Sequence, residues 1–151
     1  MTGKRPLTRL IIKEMRNVYV AFEILDDSQP TSIGWTQSSG HLVFEVKVDF
    51  TRKARWVKDG HKTPQPQKST YAGDFGRESV RIALTHASLN KLEILTADIL
   101  NAYLHAPSRE KHYIICRLEF GLENVGRRAQ IKRALYGGKA SRSNFWRYLR
   151  S

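Results

Sequence analysis

The stretch LEILTADILNAYLHAP, residues 92–107, decides how the rest of the chain is interpreted. Its first half is apolar and predicts a buried β-strand that ends near a single acid, Asp98. A short segment with one aromatic side chain follows, and Pro107 ends it. A carboxylate at the end of a buried strand is costly unless it is paired or binds a metal ion, so Asp98 is a candidate site residue. The alternative is an aspartate that caps the next turn, and the spacing alone leaves both open.

The whole chain has the composition of one globular, strongly basic domain. Its 151 residues can form a core, and 40% of them are apolar, including 3 Trp, 6 Tyr and 6 Phe. Lysine and arginine number 26 against 14 acids, a formal charge of +12. This excess favours a polyanionic partner, nucleic acid before an acidic membrane. No apolar run is long enough to span a membrane, and a lone cysteine suits a reducing compartment, so we expect an intracellular protein.

Outside the opening stretch, the residue patterns predict an α+β domain with a mostly antiparallel sheet and two or three helices. Residues 1–40 are interpreted as a basic tail, or a frayed helix, with a lead-in strand at 18–25 and a loop at 26–40. Residues 41–151 form the main domain. Within it, residues 41–50 alternate as a half-buried strand whose apolar face runs from Leu42 to Phe50.

Further elements of the main domain follow from periodicity and turn residues. Residues 77–90 carry an apolar stripe at helical spacing, and the segment NAYLHA is expected to form a brief helical turn. A strand is predicted at 112–118. The last segment, SRSNFWRYLR, predicts a helix that begins near Ser141 and buries Phe145, Trp146 and Leu149.

Two basic clusters predict contact with nucleic acid. One lies in residues 47–62 and the other in residues 127–150, and aromatic side chains are interleaved with both. Cations neutralise phosphates and flat rings stack on bases, although a solvated surface is the simpler alternative. The candidate nucleic-acid-binding residues are Arg52, Lys58, Arg133, Arg142 and Arg147. No spacing typical of a zinc site, a P-loop or a Ser/His/Asp triad is present in the sequence.

Four blocks in order resemble a known family. They are KARWVKDGHKT, STYAGDFGRESVRIALTHASLN, LTADILNAYLHAP and RALYGGKASRSNFWRYLR. Together they resemble the reverse transcriptase of copia-type long-terminal-repeat retrotransposons, over about three quarters of the chain. The resemblance implies a partial polymerase, with the fingers and the first part of the palm, that uses Mg²⁺, deoxynucleotides and an RNA template or RNA–DNA hybrid.

The resemblance also implies roles for particular residues. Asp98 matches the first catalytic, metal-binding carboxylate, and Tyr103 matches the aromatic residue beside the incoming sugar, which selects deoxynucleotides. Lys53 and Arg55 match the basic fingers strand that grips the triphosphate. Gly137 and Lys139 belong to the LYGGK block that shapes the nucleotide pocket, where glycines allow close backbone approach.

Departures from the family pattern predict that the chain does not polymerise alone. In this family an adjacent pair of aspartates lies downstream in a Tyr-x-Asp-Asp hairpin, and here no aspartate follows Asp98. Two divalent cations held close together need several anionic ligands. Asp74-Phe75-Gly76, Arg117-Leu118 and Arg142 also differ from the family. The alternatives are a non-catalytic basic module that binds nucleic acid and a remnant without function.

Overall fold

The computed structural model describes residues 4–26, 33–73 and 76–151 of the chain. Within these residues lie four α-helices and six β-strands, joined by short 3₁₀ turns. Residues 27–32 of the predicted loop, and Asp74 and Phe75 among the departures, lie outside the described residues. In chain order the elements are α1 (Lys4–Val18), β1 (Phe22–Ile24), β2 (Thr36–Gln37), β3 (Gly40–Val46), β4 (Arg52–Lys58), α2 (Arg77–Leu89), α3 (Ala102–His105), β5 (His112–Ile115), β6 (Arg128–Ile131) and α4 (Ser141–Leu149).

The described strands form two sheets. Four of them lie in the order β1-β6-β5-β2, antiparallel except for the parallel pair of β2 with β5. The remaining two, β3 and β4, form an antiparallel hairpin with Leu42 opposite Trp56. The predicted mixed α+β class and the mostly antiparallel sheet are therefore confirmed. The four helices exceed the two or three expected, because the basic N-terminal segment also forms one.

The core is built around one tryptophan of the hairpin. Trp56 is 1% exposed, and the rings of Phe22 and Phe120 meet it edge-on at centroid distances of 5.1 and 6.1 Å. Edge-to-face aromatic contacts add to the free energy gained by burying the rings. Helix α1 packs against β4 and adds Met15 to this cluster.

The N-terminal segment is therefore not a tail. The Glu14 carboxylate is buried and accepts a hydrogen bond from the backbone N–H of Trp56 at 2.9 Å. Strand β1 pairs with β6, and β2 pairs with β5. Residues 1–40 were expected to form a tail, or a frayed helix, and a lead-in strand. In the structure they supply one helix and two strands, which pack with elements of the main domain. The predicted strand at 18–25 is shortened to Phe22–Ile24, after a 3₁₀ turn at Tyr19–Ala21.

The β3–β4 hairpin is only partly buried. Strand β3 ends at Val46, and residues 47–51 form the turn, so the predicted strand is too long. Leu42 is partly buried, whereas Phe44 is 49% and Phe50 86% exposed. The expected apolar face therefore reaches the core only at its start, because the outer half of the hairpin projects beyond the sheet.

The predicted strand at 92–99 is wrong. These residues have irregular backbone, and every one from 91 to 101 is exposed, with Leu95 at 94%. No described strand lies beside the segment, so its backbone has no ladder in which to pair. The helix before it, α2, agrees with the prediction in its bounds, but among its residues only Ala87 is buried.

Several local predictions are confirmed. The helical turn in NAYLHA is α3, the predicted strand at 112–118 contains β5, and the last segment forms α4. The face that α4 buries differs from the prediction, since Leu149 is 56% exposed and Ser141 is buried. No described helix is both long and apolar enough to cross a membrane.

Candidate nucleotide and nucleic-acid interface

Arg55 lies on β4, and its guanidinium is next to an aromatic ring and a carboxylate. Its Cζ is 5.6 Å from the centroid of the Tyr136 ring, and its Nη2 lies 3.3 Å from a Glu45 carboxylate oxygen across the hairpin. Its Nε is buried and has no hydrogen-bond partner among the described residues. The Nε of Arg55 is therefore a donor without a described acceptor, and Glu45 is the described ion-pair partner of the guanidinium.

Tyr136 joins Arg55 to a second aromatic residue. The Tyr103 ring, on α3, lies 4.9 Å from the Tyr136 ring and 6.0 Å from the ring of Phe145 on α4. We call Arg55, Tyr103, Tyr136 and Phe145 the aromatic cluster. It brings together residues from three of the blocks, in the segments 53–63, 95–107 and 133–150. Tyr103 and Phe145 are half-buried, so part of each ring stays accessible.

Gly137 determines where Tyr136 sits. Its φ is +81°, and a Cβ there would lie 2.1 Å from the Lys58 carbonyl oxygen and 2.7 Å from Val57 Cγ1. The Lys58 N–H donates to the Tyr136 carbonyl at 2.8 Å. The glycine therefore allows the LYGGK block to pack closely against the end of β4.

Lys139 and Lys58 have protein partners. The Lys139 ammonium donates to the Thr63 carbonyl at 2.6 Å. The Lys58 side chain is 2% exposed, with its Nζ 2.6 Å from His112 Nδ1 and 3.3 Å from Glu110 Oε2. A lysine so buried cannot meet a polyanion at the surface, so the predicted role of Lys58 in binding nucleic acid is not supported.

Burial also shifts the protonation of this network. It lowers the pKa of Lys58, against the opposing effect of Glu110, and it lowers the pKa of His112, with Lys58 as a further cause. A neutral His112 accepts a hydrogen bond from the Lys58 ammonium at Nδ1 and therefore carries its own hydrogen on Nε2. The network joins the end of β4 to the start of β5 and holds the hairpin on the larger sheet.

Asp98 does not lie where the sequence predicted. It is exposed, in irregular backbone, and no described residue is hydrogen-bonded or ion-paired to it. Across the described ranges, no group of three His, Cys, Asp or Glu side chains could hold a metal ion. One exposed carboxylate does not fit a two-metal site, so magnesium binding stays a prediction of the resemblance.

Basic residues line a groove between α1 and the hairpin. The groove has a volume of about 220 Å³, and exposed cations from both elements border it. Its basic residues are Lys13, Lys47, Arg52 and Lys53. Arg52 and Lys53, both on β4, thus share one surface. We call it the hairpin groove.

The other predicted cations are dispersed. The Arg133 guanidinium donates to the His105 carbonyl at 3.2 Å, beside α3. Arg142 is exposed at the start of α4, and Arg147 lines a cleft on the opposite side of that helix from the Phe145–Tyr103 contact. The structure therefore does not bring the predicted nucleic-acid-binding residues into one surface.

Sequence reasoning missed a polar network at the base of the hairpin. The Asp59 carboxylate accepts from the Ser39 hydroxyl at 2.5 Å, the Lys62 ammonium at 3.0 Å and His41 Nδ1 at 2.8 Å. These bonds, with that from Ser39 the largest cause, lower the pKa of Asp59 to about 2. The Asp59-Gly60 turn was the only signal, since the partners Ser39 and His41 lie about twenty residues away.

Comparison with known proteins finds no relative of this chain. No protein-family model, no curated protein and no solved structure matches the chain.

Proposed function

We propose that the chain is the fingers and first part of the palm of a copia-type reverse transcriptase. On this proposal it binds a deoxynucleotide and a template strand. One observation carries the proposal: the aromatic cluster joins Arg55, Tyr103 and the residue before Gly137, which three separate blocks supply. A cation beside accessible rings is a combination that binds a phosphorylated nucleoside.

Each member of the cluster has a distinct part in this proposal. The donors of Arg55 bind the triphosphate, and the Tyr136 ring below the guanidinium fixes its plane. The Tyr103 ring lies beside the sugar and excludes a 2′-hydroxyl by its bulk. Gly137 holds Tyr136 against β4 and so sets the distance between the arginine and the ring.

We propose that this chain does not catalyse polymerisation by itself. Asp98 is the one residue here that matches a catalytic carboxylate, and no aspartate follows it. In-line transfer with two metal ions needs several carboxylates around both ions. In this proposal, the further carboxylates that polymerisation requires are not provided by the residues of this chain.

A second candidate function is a basic module that binds nucleic acid without a nucleotide. The hairpin groove favours it, because its lysines and Arg52 are exposed and border one groove. Such binding neutralises phosphates and weakens steeply with salt.

One titration separates the two candidates. Binding of a labelled RNA–DNA hybrid is measured by fluorescence anisotropy, with and without a deoxynucleoside triphosphate, for the unaltered chain and for Arg55→Gln. The first proposal predicts saturable nucleotide binding that Arg55→Gln weakens at least tenfold. The matched control is Arg81→Gln, which removes the same charge from the exposed surface of α2, where Arg81 pairs only with Glu78. Hybrid binding with no nucleotide binding supports the basic module, and equal losses in both variants overturn the assignment of Arg55.

A further inference from the structure

Helix α4 buries polar residues and exposes apolar ones. Its buried side chains are Ser141, Ser143 and Asn144, while Tyr148 and Leu149 are 45% and 56% exposed. Burying a polar group without a partner is unfavourable, and a helix in a globular protein normally turns its apolar face inward. The inward face of α4 is therefore polar for a reason other than core packing.

The Ser141 and Ser143 hydroxyls have partners, but the Asn144 side chain has none among the described residues. Ser141 donates to the Leu135 carbonyl at 2.6 Å, and Ser143 donates to the Ala140 carbonyl at 3.0 Å. Asn144 is 6% exposed, and its carboxamide makes no hydrogen bond to any residue that the structure describes. Two donors and one acceptor of that amide are thus without a partner among the described residues.

Asn144 lines a cleft beside α4. The cleft has a volume of about 390 Å³, within the range of small-molecule sites, and its walls come from residues 64–69, from 109–112 and from α4. We call it the α4 cleft. Glutamines and a serine from residues 64–69 add further polar groups to its wall.

The charge of the α4 cleft is positive. Its lining cations are Lys68, Arg109, Lys111 and Arg147, and none of them forms an ion pair with a described residue. The one acid in the lining, Glu110, lies 3.3 Å from the buried ammonium of Lys58 and is neutralised by it. A doubly charged anion therefore meets four cations and no uncompensated carboxylate.

We propose that the α4 cleft binds the phosphate group of a small phosphomonoester, with Arg147 and Asn144 as its main contacts. The guanidinium supplies two parallel donors to the phosphate oxygens, and the buried amide supplies another. The volume admits a ligand of about mononucleotide size. This site is separate from the aromatic cluster, because none of the four residues of the cluster lines the cleft.

The test uses the whole chain and two probes, inorganic phosphate and adenosine 5′-monophosphate. Binding is followed by backbone amide chemical shifts, which also report whether each variant is folded. The variants are Arg147→Gln and Asn144→Asp, the second of which keeps the shape of the side chain and adds a negative charge. The matched control is Arg150→Gln on the same helix, whose guanidinium stacks 4.5 Å from the Trp146 ring centroid and does not line the cleft.

We expect saturable binding of at least one probe, with the largest shift changes in residues 64–69, 109–112 and 143–147. Arg147→Gln and Asn144→Asp each raise the dissociation constant at least tenfold, and Arg150→Gln changes it less than twofold. Tighter binding of the monophosphate than of free phosphate identifies an organic phosphomonoester, while tighter binding of free phosphate removes the small-molecule part of the proposal. No saturable shifts, or equal losses in Arg147→Gln and Arg150→Gln, overturn it. Loss of deoxynucleotide binding in Arg55→Gln is independent of these outcomes.

Discussion

The substitution Gly137→Ala tests how the LYGGK block is held against the hairpin. The backbone there has φ +81°, which costs a residue with a Cβ about 1–2 kcal/mol. The new methyl group would also lie 2.1 Å from the Lys58 carbonyl oxygen. That oxygen cannot withdraw freely, because the same residue's N–H donates to the Tyr136 carbonyl at 2.8 Å. Overpacking of this kind adds about 1–3 kcal/mol.

Gly126→Ala is the matched control. Its φ is +84°, but nothing lies within 4 Å of the added Cβ, so it carries the backbone cost alone. Urea unfolding is followed by tryptophan fluorescence, since Trp56 is buried next to the end of β4. We expect Gly137→Ala to lower the free energy of unfolding by about 2 kcal/mol more than Gly126→Ala does, with similar m-values. Losses equal to within 0.5 kcal/mol would refute the assigned contact.

Further predictions concern the buried polar networks and catalysis. Asp59→Asn should lower the free energy of unfolding by about 2 kcal/mol at pH 7, because the folded pKa of about 2 lies below the ordinary 3.8. That contribution is present above pH 3.8 and is lost as the pH falls through about 2, so a pH series of urea unfolding curves should show the variant and the parent converging in acid. Lys58→Met should cost about 3–5 kcal/mol, since it leaves Glu110 buried without its partner, and the double variant with Glu110→Gln should recover much of this in the same assay. A primer-extension assay with Mg²⁺ and deoxynucleotides should detect no incorporation by the purified chain, and robust extension would contradict the inactive assignment.

The local elements were predictable because their signals lie within a few residues. The apolar spacing of α2, the turn of α3 and the β-branched content of β5 all act over one or two turns of chain. The strand at 92–99 failed, because a strand also needs a neighbour, and the sequence of the segment does not say whether one exists. The choice between a tail and a helix for the N-terminal segment stayed open for the same reason, since the partner of Glu14 is Trp56, forty-two residues away.

The residues of the candidate site also divide into those that the sequence could identify and those that depend on distant contacts. The resemblance selected Arg55 and Tyr103, and both lie in the aromatic cluster. The charge pattern selected Lys58, whose partners His112 and Glu110 are more than fifty residues distant and bury it. Exposed and buried lysines look alike in sequence, because only the tertiary contacts decide which of them meets solvent.

The central claim is that the aromatic cluster is a deoxynucleotide site with Tyr103 at the sugar. It is tested most directly by measuring dissociation constants for a deoxynucleoside triphosphate and for the matching ribonucleoside triphosphate, on the unaltered chain and on Tyr103→Val. The account predicts that the unaltered chain binds the deoxynucleotide at least tenfold more tightly, and that Tyr103→Val binds both about equally. Equal binding of both by the unaltered chain, or a preference that survives in Tyr103→Val, would contradict it.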